Sequence, residues 1–376
     1  MAPPPERPPM DYGSAGVDAD AVEAGLAGLV RHVRGTWPAG ESGLGAIKVG
    51  LGYFASVLDF GGIGVAVCTD GIGTKALIAQ MMDRYDTVGI DCVAMNVNDL
   101  VCVGAQPITL VDYIAVEHAD PVMLEALGAG LAEGARRAGV SIAGGEIAAM
   151  RDVIKGAVPE AGFDLAATAV GRVALDAVNT GAAVQPGDSI VGIASSGIHS
   201  NGLTLARRVF FESAGLTVDD RVAGLGETVG EALLRPTHIY VREALDLLAS
   251  GVPVHALAHI TGDGFLNLTR IEARVGMRLD ALPAPPPIFA VLQRLGGIED
   301  AEMYRVFNMG IGFCAIVPPE HESRAIEILG GDGKACQRIG RVVEDAEERV
   351  WIERAGLVGR AGEGFVREDA APAPTG

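Results

Sequence analysis

Apolar residues along this chain recur in two periods, and the switches between them outline its elements. Residues 18–34 carry the helical period, with Asp18 or Asp20 as cap. A glycine-rich loop, GESGLGAIKVGLG at 40–52, leads to a short apolar strand at 65–69 that ends in TDGIGTK. Residues 75–83 read as a helix. Residues 87–104 read as a long apolar helix interrupted by Asp91, Asn96, Asn98 and Asp99. A strand at 108–116, an amphipathic helix at 121–138, a strand at 140–143 running into GGE, and a strand at 165–173 complete the first half. A Pro-Gly-Asp turn at 186–188 restarts the pattern with a strand at 189–194, the turn SSGIHSNG and a helix to residue 211. A helix at 242–248, a strand at 254–259 running into ITGDGF and an apolar strand at 308–317 follow. Helices and strands mix in both halves, so the class is α/β, or mixed α+β.

The pattern divides the chain into a Pro-rich, disordered start at 1–10, a first domain at 11–173, a second at 174–354 and a disordered tail at 355–376. No repeat of fixed period runs through it.

Composition narrows the partners. The formal net charge is −19. So acidic a surface repels nucleic-acid backbones and anionic lipid, and neither is expected as a partner. Aromatic residues make up 5%, too few for a platform that stacks single-stranded bases. A phosphorylated ligand must then be held by backbone N–H groups, a few basic side chains and metal ions. The five cysteines form no CxxC pair, which suits a reducing cytoplasm. The start MAPPPERPPM lacks an apolar signal core, and no run approaches the roughly 18–20 apolar residues of a membrane span.

Several segments carry possible chemistry. In TDGIGTK a strand delivers Asp70, a possible hard-oxygen ligand for Mg²⁺, to a turn whose N–H groups suit a phosphate. A structural Asp in a strand-to-helix turn is the plainer reading, and the segment does not match the Walker A spacing. NVNDL places Asn96, Asn98 and Asp99 on an apolar helix, where they are costly to bury without partners. Glu146, in GGE, could share a divalent cation with Asp70 and Asp99. SSGIHSNG gathers Ser195, Ser196, Gly197, His199, Ser200 and Asn201 into a turn suited to phosphate and sugar hydroxyls. There Ser200 is a possible helix cap and His199 a proton carrier near neutral pH; a capped turn with a surface histidine is the alternative. The loop containing Gly43, Gly45 and Gly50 puts Lys48 at a flexible tip that could close over nucleotide phosphates, or is simply a mobile surface loop. HITGDGF brings His259, Thr261 and Asp263 to a turn that could line a pocket or join two strands.

Taken in order, these segments resemble the AIR synthetase family, the phosphoribosylformylglycinamidine cyclo-ligases. The matching stretches are DYGSAGVD at 11–18, TDGIGTK at 69–75, GIDCVAMNVNDL at 89–100, GAQP at 104–107, GGEIAAM at 144–150, SSGIHSNG at 195–202, HITGDG at 259–264 and MYRVFNMGIG at 303–312, spanning roughly residues 11–352. The chain departs from the family pattern in its glycine loop, at Ile147 and Ala149 of GGEIAAM, in RDVIKG after Met150 and at Asp263.

The resemblance implies an N-terminal domain that dimerises through its sheet, with an α/β domain behind it. It implies a cytoplasmic ligase of purine biosynthesis that closes formylglycinamidine ribonucleotide to aminoimidazole ribonucleotide, with ATP as co-substrate and Mg²⁺ as cofactor. It further implies His199, Lys48 and Asp70 as catalytic residues and Asp70, Asp99 and Glu146 as metal ligands. Gly43, Gly45, Lys48, Gly50, Thr69, Gly71, Gly73, Thr74, Lys75 and Asn98 would hold ATP. Ser195, Ser196, Gly197, His199, Ser200, Asn201, His259 and Thr261 would hold the ribonucleotide. A superfamily relative that phosphorylates another small substrate, or a non-catalytic nucleotide-binding protein, is the competing expectation.

Overall fold

The computed structural model describes residues 10, 11, 13, 19–38, 40 and 42–370. Most of the start expected to be disordered, most of DYGSAGVD including the proposed cap Asp18, and the last six positions lie outside them.

The first half builds a six-stranded sheet. Its elements are α1 (Ala19–Arg34), β1 (Ile47–Val49), β2 (Ser56–Asp59), β3 (Ile63–Gly71), α2 (Lys75–Met81), α3 (Asp86–Cys102), β4 (Gln106–Val116), α4 (Pro121–Ala138), β5 (Ser141–Ala149) and β6 (Phe163–Ala174). The strand order is β1-β2-β3-β6-β4-β5, antiparallel except for the parallel β4–β5 pair. One face is covered by α3, which explains why that helix reads as apolar all round: every residue except Asp86 and Asp99 is buried. Helix α4 stacks on α3 backbone to backbone. A Cβ on Gly89 would strike the α4 main chain, and one on Gly130 the α3 main chain, so glycine is required at both crossing points. Among the described residues the opposite face of the sheet leaves Val111 and Tyr113 exposed.

The second half builds an eight-stranded sheet of order β14-β13-β12-β9-β11-β7-β10-β8. It comprises β7 (Ser189–Ala194), α5 (Leu203–Arg207), α6 (Val229–Leu234), α7 (Val241–Ala249), β8 (Ala256–His259), β9 (Gly276–Leu279), α8 (Pro287–Gly296), α9 (Asp300–Val306), β10 (Ile311–Val317), α10 (Glu322–Leu329), β11 (Cys336–Val343), β12 (Val350–Ile352), β13 (Leu357–Arg360) and β14 (Gly364–Arg367). All seven residues of β10 are buried, as a central strand demands.

Two expectations need correction. The chain beyond Ala355 is not a disordered tail throughout, because β13 and β14 extend the second sheet. Leu357, Val358 and Phe365 are buried there, too few apolar positions to stand out from a Pro- and Ala-rich ending. GGE does not end a strand but lies inside β5, an edge strand exposed along most of its length, which blunts the alternating pattern. Among the described residues no helix is long and apolar enough to cross a membrane.

Candidate active site at the domain junction

Strand β3 turns Asp70 toward the helix-covered face. Asp70 stands level with Ala167 of β6, Asp112 of β4 and Gly145 of β5, and residues paired across a sheet share a face. Asn96 of α3 fixes the strand end. Its Oδ1 accepts the Asp70 N–H at 3.1 Å and its Nδ2 donates to the Asp70 carbonyl at 3.0 Å. One helical turn later the same helix presents Asp99 beside Asp70. Burial raises the Asp70 carboxyl above its ordinary range and the Asp99 charge adds to this, against the Gly71 N–H that it accepts at 2.7 Å. Asp99 is in turn held by His259, whose Nδ1 lies 2.9 Å from Asp99 Oδ1.

Glu146 does not join them. It is level with Tyr113, Ala166 and Gly71, one residue out of phase with Asp70, and so lies on the uncovered face. Two strands intervene between β3 and β5, a separation of about 14 Å. Among the described residues no three His, Cys, Asp or Glu side chains are grouped to hold a metal ion by themselves.

The TDGIGTK turn divides by side-chain direction. Thr69 faces the open side and pairs with Thr168 at 2.8 Å. Gly71 and the exposed Gly73, at φ +56°, form the turn itself. Thr74 meets Thr204 of α5 at 3.1 Å, joining the two domains. Lys75, expected to reach ATP phosphates, points the other way. Its ammonium is wholly buried and donates to Asp91 Oδ1 at 2.8 Å, the Arg235 carbonyl at 2.7 Å and the His199 carbonyl at 3.2 Å. Burial lowers its pKa and Asp91 opposes the shift. With three oxygens filling its donors, it has none left for a phosphate. Asn98 is likewise committed: its amide donates to the His238 carbonyl and accepts the Tyr240 N–H, both at 2.9 Å.

The glycine loop is tied into the sheet. Gly43 and Gly45 are left-handed, at φ +100° and +86°. Gly50 lies under the Trp37 ring. Lys48 is exposed, yet it sits on edge strand β1 rather than at a flexible tip. Its neighbour Val49 is level with Val57 and Ala66, two strands over from β3 and four residues short of Asp70, a separation of more than about 10 Å. Just past the loop, Phe54 packs under Arg270 of the second domain, 5.2 Å from its ring centre.

The SSGIHSNG turn is two sites in one. Its first half is closed. Ser195 Oγ bonds the Gly197 carbonyl at 2.8 Å and Asn308 at 3.0 Å, while Ser196 Oγ donates to the Pro236 carbonyl at 2.6 Å. His199 is 1% exposed and left-handed at φ +62°, with its Nε2 accepting the Ser196 N–H at 3.2 Å. Burial drives its pKa well below the usual histidine range, with the nearby His259, His238 and Lys75 adding to the effect. The ring lies inside the junction rather than exposed at its mouth. Its second half is open: Ser200 Oγ and Asn201 Nδ2 are buried without a partner, as are His199 Nδ1 and, close by in the fold, Asn267 Nδ2. Asn267 Oδ1 accepts the Thr261 N–H at 2.7 Å. Ser200 does not cap α5. The cap is Gly202, left-handed at φ +71°, where a Cβ would strike the Phe307 ring.

A cleft of about 730 Å³ lies elsewhere, among Arg84, Arg137, Arg221 and Arg235. Each of those guanidiniums faces a carboxylate, so the cleft offers paired charges rather than the unpaired valences found at the two turns. Sequence reasoning missed Thr204, Thr237 and Asp91's role as the anchor that accepts from Lys75 and twice from Thr237. Its only trace was an Asp on an apolar helix.

The chain matches the AIR synthase related protein family in both parts, its N-terminal domain over residues 53–173 and its C-terminal domain over 185–353. It is 48% identical over 337 residues to the phosphoribosylformylglycinamidine cyclo-ligase of Methanothermobacter thermautotrophicus, covering 90% of this chain and 95% of that one. It is 45% identical to the enzyme of the same name from Methanocaldococcus jannaschii, covering 89% and 93%. Solved structures share the fold at low identity. The hydrogenase maturation protein HypE in complex with ATP superposes with a TM-score of 0.57 at 20% identity, over 83% of this chain and 86% of that one. Thiamine-monophosphate kinase from Stenotrophomonas maltophilia gives 0.58 at 22% identity, over 81% and 90%. By these matches the chain belongs to the phosphoribosylformylglycinamidine cyclo-ligase, or AIR synthetase, family.

Proposed function

We propose that this protein closes the imidazole ring of purine biosynthesis, converting formylglycinamidine ribonucleotide and ATP to aminoimidazole ribonucleotide, ADP and phosphate in the cytoplasm. One observation carries the reading. In a chain 48% identical to a cyclo-ligase, the Asp70–Asp99 pair and the TDGIGTK turn meet the open half of SSGIHSNG across the Thr74–Thr204 contact. A carboxylate pair beside a glycine turn suits a magnesium nucleotide, and unpartnered hydroxyl and amide groups suit a sugar phosphate.

The chemistry asks little of the protein beyond placement. An amide oxygen leaves poorly. Transfer of the ATP terminal phosphoryl group to that oxygen gives an iminophosphate and ADP. The amidine nitrogen of the same molecule then attacks the activated carbon, the C–O bond breaks, and phosphate departs with the oxygen. Both steps gain from fixed geometry and from screened phosphate charge. Asp70 and Asp99 fit a Mg²⁺ ion, because that ion is usually bound by one or two carboxylates together with substrate phosphates. When bound it supplies neutralisation of phosphate charge. Gly71, Gly73 and Thr74 border the nucleotide. Ser200, Asn201 and Thr261 orient the ribonucleotide. His199 acts by position, holding the Ser196 backbone and receiving Lys75 on its own carbonyl.

The protein is read as a homodimer joined through the uncovered face of its first sheet. Val111 and Tyr113 are 45% and 44% exposed there, and Ile63 on the same face is 54% exposed. Such a stripe of apolar side chains across an open sheet is the mark of a covered surface. Glu146 and Thr69 share that face, so pairing would enclose them.

Incubation of the purified protein with formylglycinamidine ribonucleotide and MgATP, followed by assay for aminoimidazole ribonucleotide and phosphate, tests the reaction. Equimolar products support it. Bound ATP with neither product would leave a nucleotide-binding protein.

A further inference from the structure

The basic side chains around the two turns are nearly all spent. Lys75 is bound to Asp91, Arg235 to Glu227 and Arg270 to Asp263. Arg207 is the exception. It is partly buried and its Nε has no hydrogen-bond partner; among the described residues it forms no ion pair. Its one nearby anion, Glu212, is already bonded to Arg208 at 3.1 Å. Arg207 ends α5 one turn after Thr204, so the two share a face, and Thr204 touches Thr74 of the TDGIGTK turn. Directly after Arg207 the helix widens into a π-turn, Arg208–Ser213, a distortion frequent at functional sites.

A guanidinium N–H buried without an acceptor is a cost to the fold. A phosphate beside it would supply the missing acceptor and charge. We propose that Arg207 is a phosphate-binding residue of this active site, its guanidinium taking a phosphate of one of the two substrates beside the Thr74–Thr204 contact. The inference rests on the ring-closing reading for the identity of those substrates, and its chemistry is that of a phosphate monoester or the end of a triphosphate. Arginine suits either, because its planar fork meets two phosphate oxygens at once.

The sign of the stability change separates this role from a structural one. In Arg207→Met a partly buried charge whose Nε lacks an acceptor gives way to an apolar chain of similar length, so Tm stays level or rises. Binding falls where the phosphate was held. Calorimetric titration of the full-length protein with MgATP alone, and with formylglycinamidine ribonucleotide alone, distinguishes the source. An increase in Kd of about 10–100-fold for one ligand, with the other within about twofold, is expected. Loss confined to ATP assigns the triphosphate, and loss confined to the ribonucleotide assigns its 5′-phosphate. Arg207→Lys keeps the charge without the fork and should recover part of that loss. Unchanged Kd for both ligands overturns the proposal, and so does a lowered Tm with equal weakening of both. Wild-type protein that binds both ligands but forms no aminoimidazole product would sink the reaction, while the effect of Arg207 on binding still stands.

Discussion

The inside of the domain junction and its rim use the same residue types to opposite ends. Inside, Lys75, Asp91, Thr237, Asn98 and His259 bond to each other and to backbone, and they knit α2 and α3 to the second domain. At the rim, Ser200, Asn201 and Arg207 keep buried polar atoms without a partner, and Asp70 gives one carboxylate oxygen to the Gly71 N–H. The family motifs run across both regions, so a motif residue is as often a bolt as a binding group. Motif membership alone therefore does not say whether a residue binds a ligand or holds the two domains together.

The sharpest break of this comparison is Lys75→Met. Removing one partner of a buried ion pair leaves Asp91 charged in a dry site, at a cost of about 3–5 kcal/mol. Denaturant titration should show that loss. Were Lys75 a phosphate ligand, the variant would instead keep its stability and lose ATP affinity.

Asp70→Asn is the rim counterpart. The side chain keeps its shape and the Gly71 N–H keeps an oxygen acceptor, so the fold should hold. Turnover should fall by about 100-fold or more, since a carboxylate against the nucleotide's metal supplies several kcal/mol. Near-normal turnover at ordinary Mg²⁺ would move Asp70 into the bolted class.

The uncovered sheet face is a third kind of region, apolar and unpartnered within one chain. Tyr113→Ala should weaken dimerisation by about tenfold, read by sedimentation across protein concentration. A monomeric wild type at micromolar concentration would remove the dimer.

The fold was largely legible because its signals are long. Helix α4 carries an amphipathic stripe over 18 residues, and β10 a run of seven apolar ones. β13 and β14 were not legible, having four residues each. Within the site, the sequence grouped Asp70, Asp99 and Glu146 as carboxylates that could share a cation, and the first two lie together because one turn of α3 separates Asp99 from Asn96, the clamp on Asp70. It could not separate Glu146 from them, since the face of a residue follows from strand register, which spacing does not reveal. Nor could it show that Lys75 turns inward, which depends on Asp91 and on carbonyls contributed by residues 199 and 235. Arg207 carried no local signal: LARRVF reads as any helix end.

The smallest effect concerns buried His199 and partly buried His238, and bears on His199 as bolt or catalyst. Burial lowers His238 to about 4, and the charges of Lys334, Arg137 and Arg235 push the same way. His199 is also driven well below 6.5 by burial, with His259, His238 and Lys75 facing it. In the unfolded chain both rings titrate near the ordinary value. As pH falls through about 6.5 the unfolded state takes up protons that the folded state refuses, so stability is lost on acidification and is level above about pH 7. For His238 the loss continues down to about pH 4; for His199 it runs on below its ordinary range. Between pH 7 and pH 6 each ring should contribute less than about 1 kcal/mol of that loss. His199→Asn and His238→Gln should each flatten the slope of unfolding free energy against pH by that amount. The same measurement speaks to catalysis. A ring that stays neutral across this range cannot carry a proton as imidazolium, so wild-type kcat should show no step near pH 6.5 that disappears in His199→Asn. Such a step, with an unaltered stability slope, would take His199 out of the closed interior and return it to the rim as an acid–base group.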